Sequence, residues 1–428
     1  MKSVTIISFS YIHRDARVLR QIRYLAPHYC LHVIGFGPPH PMWQSMPSVR
    51  YTPITKPQWN GDAEILHTHP FRQIVKKVRV FQWLLHEKAL KAVLLTRLLQ
   101  HPVLNKAVGL IPSMYEWCYW AERAYTAALH AAIFQHSDII YANDWTALPV
   151  GAEAAARLGA RLIFDAHEYA PLEFEESKEW RRTYQGMIRH LLKRYQMAID
   201  ASITVAPAIA ERYAREYTFK PIVVLNIPEY REAPQRVHDA GTIRLIHHGG
   251  AMRARKLDRM IETLARCDRR YSLTFMLVGA DAAYQTELQQ LAEKVAPGRV
   301  QFRAAVLPEE IVTTIAEYDM GFYLLEPTNY NNSVALPNKL FDFIAARLPV
   351  CIGPSPGMVE LVEKHGIGLV CPSFEPDRVA EKMNQITAEE LTRYRAAVQE
   401  TAAIYTAEKE MQKLVALVGE LGGERISV

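Results

Sequence analysis

Cysteine is scarce in this chain. Its 428 residues hold five, Cys30, Cys118, Cys267, Cys351 and Cys371. No two have the close spacing of a zinc pair, and so few in so long a chain exclude a disulfide-stapled secreted module. Free thiols in a reducing compartment are expected, with Cys351 buried in an apolar strand. No run approaches the roughly 18 uninterrupted apolar residues of a membrane-spanning helix. The opening Met-Lys-Ser-Val-Thr-Ile-Ile-Ser-Phe reads as a short strand and lacks the apolar region and small-residue cleavage site of a signal peptide, so a cytoplasmic location is expected. Internal repeats and low-complexity tracts are absent. An excess of charge of one sign is also lacking, with 50 Lys and Arg against 45 Asp and Glu. A formal net charge of +5 is too small to argue for nucleic acid.

What is present fits an ordinary globular protein, with 49% hydrophobic and 22% charged residues. The length implies two or three domains, because single cores stop growing near about 250–300 residues. Short apolar runs at 4–9, 31–36, 138–142, 161–164, 201–206 and 221–225 alternate with helical patterns in the first half. Runs at 243–247, 273–278, 300–303, 320–325, 350–353 and 368–371 do so in the second. Near-continuous apolar strands between helices predict parallel sheets covered on both faces. The fold class is therefore α/β, with two doubly wound, Rossmann-like parallel-sheet domains. An aperiodic stretch with two prolines, 226–235, marks the join. One long helical pattern spans about 388–419, opened by a capping box of Thr387 and Glu390.

The segment Leu336-Pro-Asn-Lys-Leu-Phe-Asp-Phe-Ile-Ala-Ala-Arg-Leu-Pro-Val350 carries the most information. Pro337 opens a helix with Leu340, Phe341 and Ile344 on its apolar face and one acid, Asp342. A polar, amide-rich loop at 327–333 precedes it. Such a loop feeding a helix N-terminus presents N–H groups to an anion, and the helix dipole favours negative charge there. Upstream, Ile243-Arg-Leu-Ile-His-His-Gly-Gly-Ala-Met-Arg-Ala-Arg-Lys-Leu-Asp258 reads as a strand, a glycine turn and a basic helix start. Gly249 and Gly250 let the backbone approach a ligand, and the cations Arg253, Arg255 and Lys256 crowd the turn.

These two segments resemble the donor site of the retaining GT-B glycosyltransferases, in the large family that includes phosphatidylinositol mannosyltransferase. Family members read roughly P-x-K-x-x-E-Y-x-A-x-G-x-P-V at the first segment and G-R-x-x-x-x-K-G at the second. The resemblance covers most of the chain, most strongly over 243–372. It implies GT-B architecture, with two domains facing a cleft: an acceptor-side domain at 1–225, a linker at 226–242, a nucleotide-sugar domain at 243–403, and a C-terminal helix at 404–428 crossing back to the first domain. It implies that Arg255 and Lys339 grip a donor diphosphate, with Arg253 as a substitute cation, because Gly250 stands where the family has its arginine. Asn338 belongs to the same helix start. Asp342 stands at the second of two family acids and would take ribose hydroxyls. The first is replaced by Val334, which leaves Asn331, Asn332 and Ser333 to hold the sugar. Gly279, in Leu277-Val-Gly-Ala-Asp281, would lie near the nucleobase.

In the first half, Phe164-Asp-Ala-His-Glu-Tyr169 ends a strand at the carboxyl edge of the sheet with a polar cluster. The family places a histidine here beside the donor sugar. The resemblance implies that His167 acts at the reacting centre, with Asp165 and Glu168 orienting it or binding acceptor. Asn143 and Asp144 end the preceding strand. Arg14, Asp15 and Arg17, in an R-D-x-R-V stretch shared with bacterial polysaccharide glycosyltransferases, complete the acceptor side.

The implied activity is retaining transfer of a sugar from a nucleotide-diphosphate donor to a carbohydrate or lipid-linked saccharide acceptor, in surface polysaccharide or glycoconjugate synthesis. No cofactor is expected, and the lack of any Asp-x-Asp pair suits metal independence. Residues 71–100 carry Arg72, Lys76, Lys77, Arg79, Lys88, Lys91 and Arg97 against one acid, Glu87, interleaved with Trp83 and leucines. That pattern suits an anionic membrane surface, and equally a pair of surface helices. Two rivals stand beside the transferase: a sugar-nucleotide epimerase on the same architecture, and a non-catalytic nucleotide-sugar-binding subunit.

Overall fold

The computed structural model describes residues 1–55, 113–229, 241–279 and 282–423. The basic stretch 71–100, residues 230–240 of the expected linker, and Asp281 lie outside the described residues. The chain divides into two compact units, Met1–Val224 with Lys413–Val428, and Leu225–Gln412.

The first unit is built on a seven-stranded sheet of β1 (Ser3–Tyr11), β2 (Cys30–Phe36), β3 (Val49–Ile54), β4 (Ile139–Asn143), β5 (Arg161–Ala166), β6 (Ala201–Thr204) and β7 (Ile222–Val223). Their order is β3-β2-β1-β4-β5-β6-β7, and every pairing is parallel. The second unit holds β8 (Ile243–Gly250), β9 (Tyr271–Val278), β10 (Val300–Arg303), β11 (Met320–Tyr323), β12 (Val350–Ile352) and β13 (Gly368–Val370). Its order, β10-β9-β8-β11-β12-β13, is again all parallel.

The continuous apolar runs explain this arrangement. Val4, Ile6 and Ile7 of β1 and all five residues of β4 are buried, as strands covered on both faces must be. In each sheet the order reverses once, between β1 and β4 and between β8 and β11. Parallel α/β sheets bind ligands outside the carboxyl ends of strands at such a point. Both sequence-predicted clusters fall there.

Four local expectations are corrected. Strand β3 was not among the runs read from the sequence, and it contains Pro53. Pro53 is tolerated because β3 is an edge strand, and Tyr51 ties it down by donating to the carbonyls of Gly35 (3.1 Å) and Gly37 (2.8 Å). Gly249 and Gly250 are the last residues of β8 rather than a turn beyond it. Within 327–333 the chain makes a short helix, Tyr330–Val334, capped by Asn329. The long C-terminal pattern is two helices, Ala388–Ile404 and Ala407–Gly422. Tyr405 is extended (φ −98°, ψ 96°), and Thr406 accepts from the Lys409 N–H to start the next helix. The Thr387–Glu390 capping box forms as expected.

Candidate functional site

In the second unit the site grows from the end of β8. His247 is fully buried; its Nδ1–H donates to the Phe322 carbonyl at 3.0 Å, which leaves Nε2 as a bare acceptor without a partner. His248 packs edge-on to Phe343, with ring centroids 5.3 Å apart, and its Nε2 stands 3.5 Å from Asp342 Oδ2. Burial, and then the Lys339 charge, pushes His248 down to about 3 and His247 well below its ordinary value, so both rings are neutral at physiological pH.

Lys339 lies in the first turn of the helix Asn338–Ala345, where the dipole favours an anion, yet its side chain is only 7% exposed. Its Nζ stands over the Tyr323 ring, 4.8 Å from the centroid. Gly249 makes the room. Its φ is +108°, and a Cβ there would come within 2.7 Å of Lys339 Cε. Burial, with the neighbouring Arg255 guanidinium adding repulsion, lowers the Lys339 ammonium to about 7 against the opposing pull of Asp342. Arg255 closes the turn Arg253–Arg255 between β8 and the helix Leu257–Arg266. Two cations, one buried, therefore converge beside a glycine-opened backbone and a helix start. This is the chemistry of a diphosphate cradle.

The other donor-side candidates divide. Arg253 has partners of its own: its guanidinium donates to both Glu287 oxygens (2.5 and 2.7 Å) and lies over the Tyr284 ring. Sequence reasoning had no means to see Glu287, on the next helix. Asn331 is buried, as a ligand-facing amide or a structural one would be. Asn332 donates to Thr328 Oγ1 at 3.0 Å and Ser333 to the Tyr330 carbonyl at 2.7 Å, so these side chains serve their own turn. Asn338 accepts from Asn226 at 2.8 Å. Gly250 and Gly279 (φ +64°) have open space where a Cβ would stand.

In the first unit the centre is Asp165, at the end of β5 and fully buried. Arg17 grips it through Nη2 (2.8 Å) and Nε (3.0 Å), Gln21 donates at 2.6 Å, and the Tyr141 hydroxyl at 3.0 Å. Burial works to raise this carboxyl, but Arg17 and His167 outweigh it and hold it well below the usual carboxylate range. Asp165 has no exposed surface, and these partners occupy its oxygens. Arg17, expected on the acceptor side, is its buried counter-ion. Gln21 and Tyr141 were missed. Gln21 lies one helical turn after Arg17 on the same face, which was a readable signal.

His167 follows β5, partly exposed at 27%. Its Nε2 lies between Asn143 Oδ1 (3.3 Å) and Asp165 Oδ2 (3.5 Å). The orienting role expected of Asp165 thus has geometric support, and Asn143 shares it. Burial opposes the charged ring, but Asp165 prevails and raises it above the ordinary value. Asp144 begins the helix Asp144–Leu158 with φ +70° and accepts from the Trp145 N–H at 2.6 Å. Glu173, not anticipated, takes the Trp145 indole N–H at 3.3 Å, and burial, then Asp144 and Glu168, raise it to about 8. Glu168 is exposed, and its carbonyl accepts from the Tyr213 hydroxyl. Asp15 caps the helix Ala16–Leu25, and Arg14 is exposed. Among the described residues, no three His, Cys, Asp or Glu side chains converge as a metal site.

Two all-parallel Rossmann-like units with polar clusters at their switch points make the protein a doubly wound α/β protein. Residues 243–389 match the model of the family described as Glycosyl transferases group 1. That region is similar to a group 1 glycosyltransferase domain, and the chain is a glycosyltransferase enzyme. No curated protein matches it in sequence. Among solved structures, Anabaena HepE in complex with UDP-glucose is similar, with a TM-score of 0.65 at 15% identity over 98% of this chain and 100% of that one. Sucrose-phosphate synthase from Thermosynechococcus elongatus gives a TM-score of 0.63 at 14% identity over 99% of this chain and 100% of that one. A UDP-forming trehalose-phosphate synthase from Burkholderia xenovorans gives 0.60 at 11% over 97% and 98%. The fold these share with the chain is GT-B. No helix among the described residues is long and apolar enough to cross a membrane.

Proposed function

We propose that the protein transfers a hexose from a nucleotide-diphosphate donor, a UDP-sugar being the first to test, to a saccharide or lipid-linked saccharide acceptor. The observation that carries this is Lys339, a buried ammonium facing an aromatic ring beside Arg255 at a helix N-terminus. A buried cation repelled by a second cation is costly unless an anion completes the site. The donor diphosphate has the charge to do so, and its developing negative charge during transfer would be met there without a metal. Asp342, beside His248, takes the ribose hydroxyls. HepE, a likeness in fold, is known in complex with UDP-glucose.

In the same reading His167 serves at the transferred sugar, anomeric configuration is retained, and the product enters surface polysaccharide or glycoconjugate synthesis. The basic, leucine-rich stretch 71–100 would then bring the enzyme to an anionic inner-membrane surface, where a lipid-linked acceptor resides. Vesicle co-sedimentation at low and high salt tests that part.

The decisive experiment is calorimetry with UDP, GDP and ADP, followed by transfer assays with the matching nucleotide sugars. One nucleotide should bind, and Lys339→Ala and Arg255→Ala should each weaken it by roughly 1.5–3 kcal/mol, the scale of hydrogen bonds to charged groups. Unchanged affinity in both variants would remove the diphosphate assignment. Donor turnover without acceptor would favour the epimerase, and binding with no turnover the non-catalytic subunit.

A further inference from the structure

The ring of His248 is 4% exposed, and its Nε2 forms no hydrogen bond. It is not wasted space. Its edge is fixed against Phe343, and Nε2 points to within 3.5 Å of Asp342 Oδ2. Both Phe343 and Asp342 belong to the helix Asn338–Ala345, so one ring meets two neighbouring residues of the donor-side helix. A carboxylate accepts only, so the tautomer that suits this geometry carries its hydrogen on Nε2. The neighbouring His247 shows the opposite tautomer, with Nδ1–H on the Phe322 carbonyl. Contacts of this kind are commonly long in an empty site and tighten when ligand binds.

We propose that His248 is a positioning residue for donor recognition: its Nε2–H holds one oxygen of Asp342 so that the carboxylate meets the ribose hydroxyls of the donor. This rests on the reading of Asp342 as the ribose ligand. It assigns a task to a buried histidine that the diphosphate cradle leaves unused. A neutral imidazole suits the task, because an imidazolium there would add a third charge beside Lys339 and Arg255.

The test measures binding of the tightest of UDP, GDP and ADP against its 2′-deoxy form, by calorimetry. The parent should prefer the ribonucleotide by about tenfold or more, the scale of one hydrogen bond to a carboxylate. Asp342→Asn should compress that ratio. His248→Phe keeps a ring against Phe343 but has no N–H, and it should compress the ratio as well. His248→Gln restores a donor near the Nε2 position and should recover it. A packing role predicts the reverse, with Phe tolerated and Gln not. If Asp342→Asn compresses the ratio and His248→Phe does not, the positioning role is overturned while the ribose reading stands. If Asp342→Asn leaves the ratio unchanged, or no nucleotide binds, the ribose reading itself fails and the proposal with it. Thermal unfolding of each variant confirms that the comparison is made on folded protein.

Discussion

Gly249 is shaped around Lys339. At φ +108° the glycine backbone passes beneath the ammonium so closely that a Cβ would lie 2.7 Å from Cε and 2.8 Å from Nζ. Two facts of the sequence that lie 90 positions apart, a glycine ending a strand and a lysine opening a helix, are thus one structural unit.

Gly249→Ala should therefore act on the lysine. The new methyl must either force the backbone out of the left-handed region or push Lys339 aside, at a cost of about 1–3 kcal/mol. Nucleotide affinity should fall along with thermal stability. An alanine variant that binds nucleoside diphosphate as the parent does would show that Lys339 has no need of the glycine.

If Lys339 holds the donor diphosphate, donor binding should be proton-linked. Its ammonium sits near 7 in the free protein, lowered chiefly by burial, and a bound diphosphate would raise it. Between those two values, binding takes up a proton. Affinity should be level below pH 7 and decline as pH rises above it, by up to about tenfold per pH unit for one linked proton. Folding stability runs the other way. The unfolded chain holds this proton up to the ordinary 10.5, so the penalty for burying the charge is relieved as pH rises from about 7 to 10.5. Calorimetry at pH 8 in two buffers of different ionisation enthalpy reads the proton directly, and Lys339→Met should abolish it.

Arg17 should behave as a structural residue. Removing one partner of a buried ion pair leaves the other uncompensated, at about 3–5 kcal/mol. Arg17→Ala should lose stability on that scale in urea unfolding, since Asp165 is fully buried. The sign with pH follows from the depressed carboxyl. Its contribution is present above the unfolded value near 3.8 and is lost as pH falls below it. A stable Arg17→Ala protein with weakened acceptor use would favour the acceptor-side role over the structural one.

The sheets were legible because parallel strands buried on both faces leave long apolar runs, and every run read from the sequence became a strand. Strand β3 was hidden because its proline is harmless only at an edge, and edge position is a property of the sheet. Candidate site residues were legible where a motif fixes them within one segment, as for Lys339 and Gly249, which the fold brings together. They were illegible where distant segments decide. Motif alignment put Arg255 ahead of Arg253, but nothing local shows that Glu287 on another helix engages Arg253. Arg17 and Asp165 were both taken for site groups, because nothing local says that they neutralise each other across 148 residues. His248 carried a readable signal, a polar ring ending an apolar strand, that matched no family position.

His167 gives the most discriminating test of the catalytic reading. Its Nε2 lies between Asn143 and Asp165, and Asp165, overcoming the effect of burial, raises the ring above its ordinary 6.5. If the ring acts at the reacting sugar, His167→Ala should lower transfer by about a hundredfold or more, as removal of a positioned acid–base or charge-stabilising group does. Nucleotide affinity should be unchanged, because the residues proposed to hold the diphosphate lie in the second unit. The same substitution also has a stability signature. A raised histidine contributes stability that is fully present below pH 6.5 and is lost as pH rises through its folded value, so the parent should lose stability across that window and His167→Ala should not. A variant that shows the flattened stability profile but transfers sugar at the parent rate would make His167 a structural ligand of Asp165 and move the chemistry elsewhere, with Glu173, raised to about 8 beside Asp144, the next group to replace.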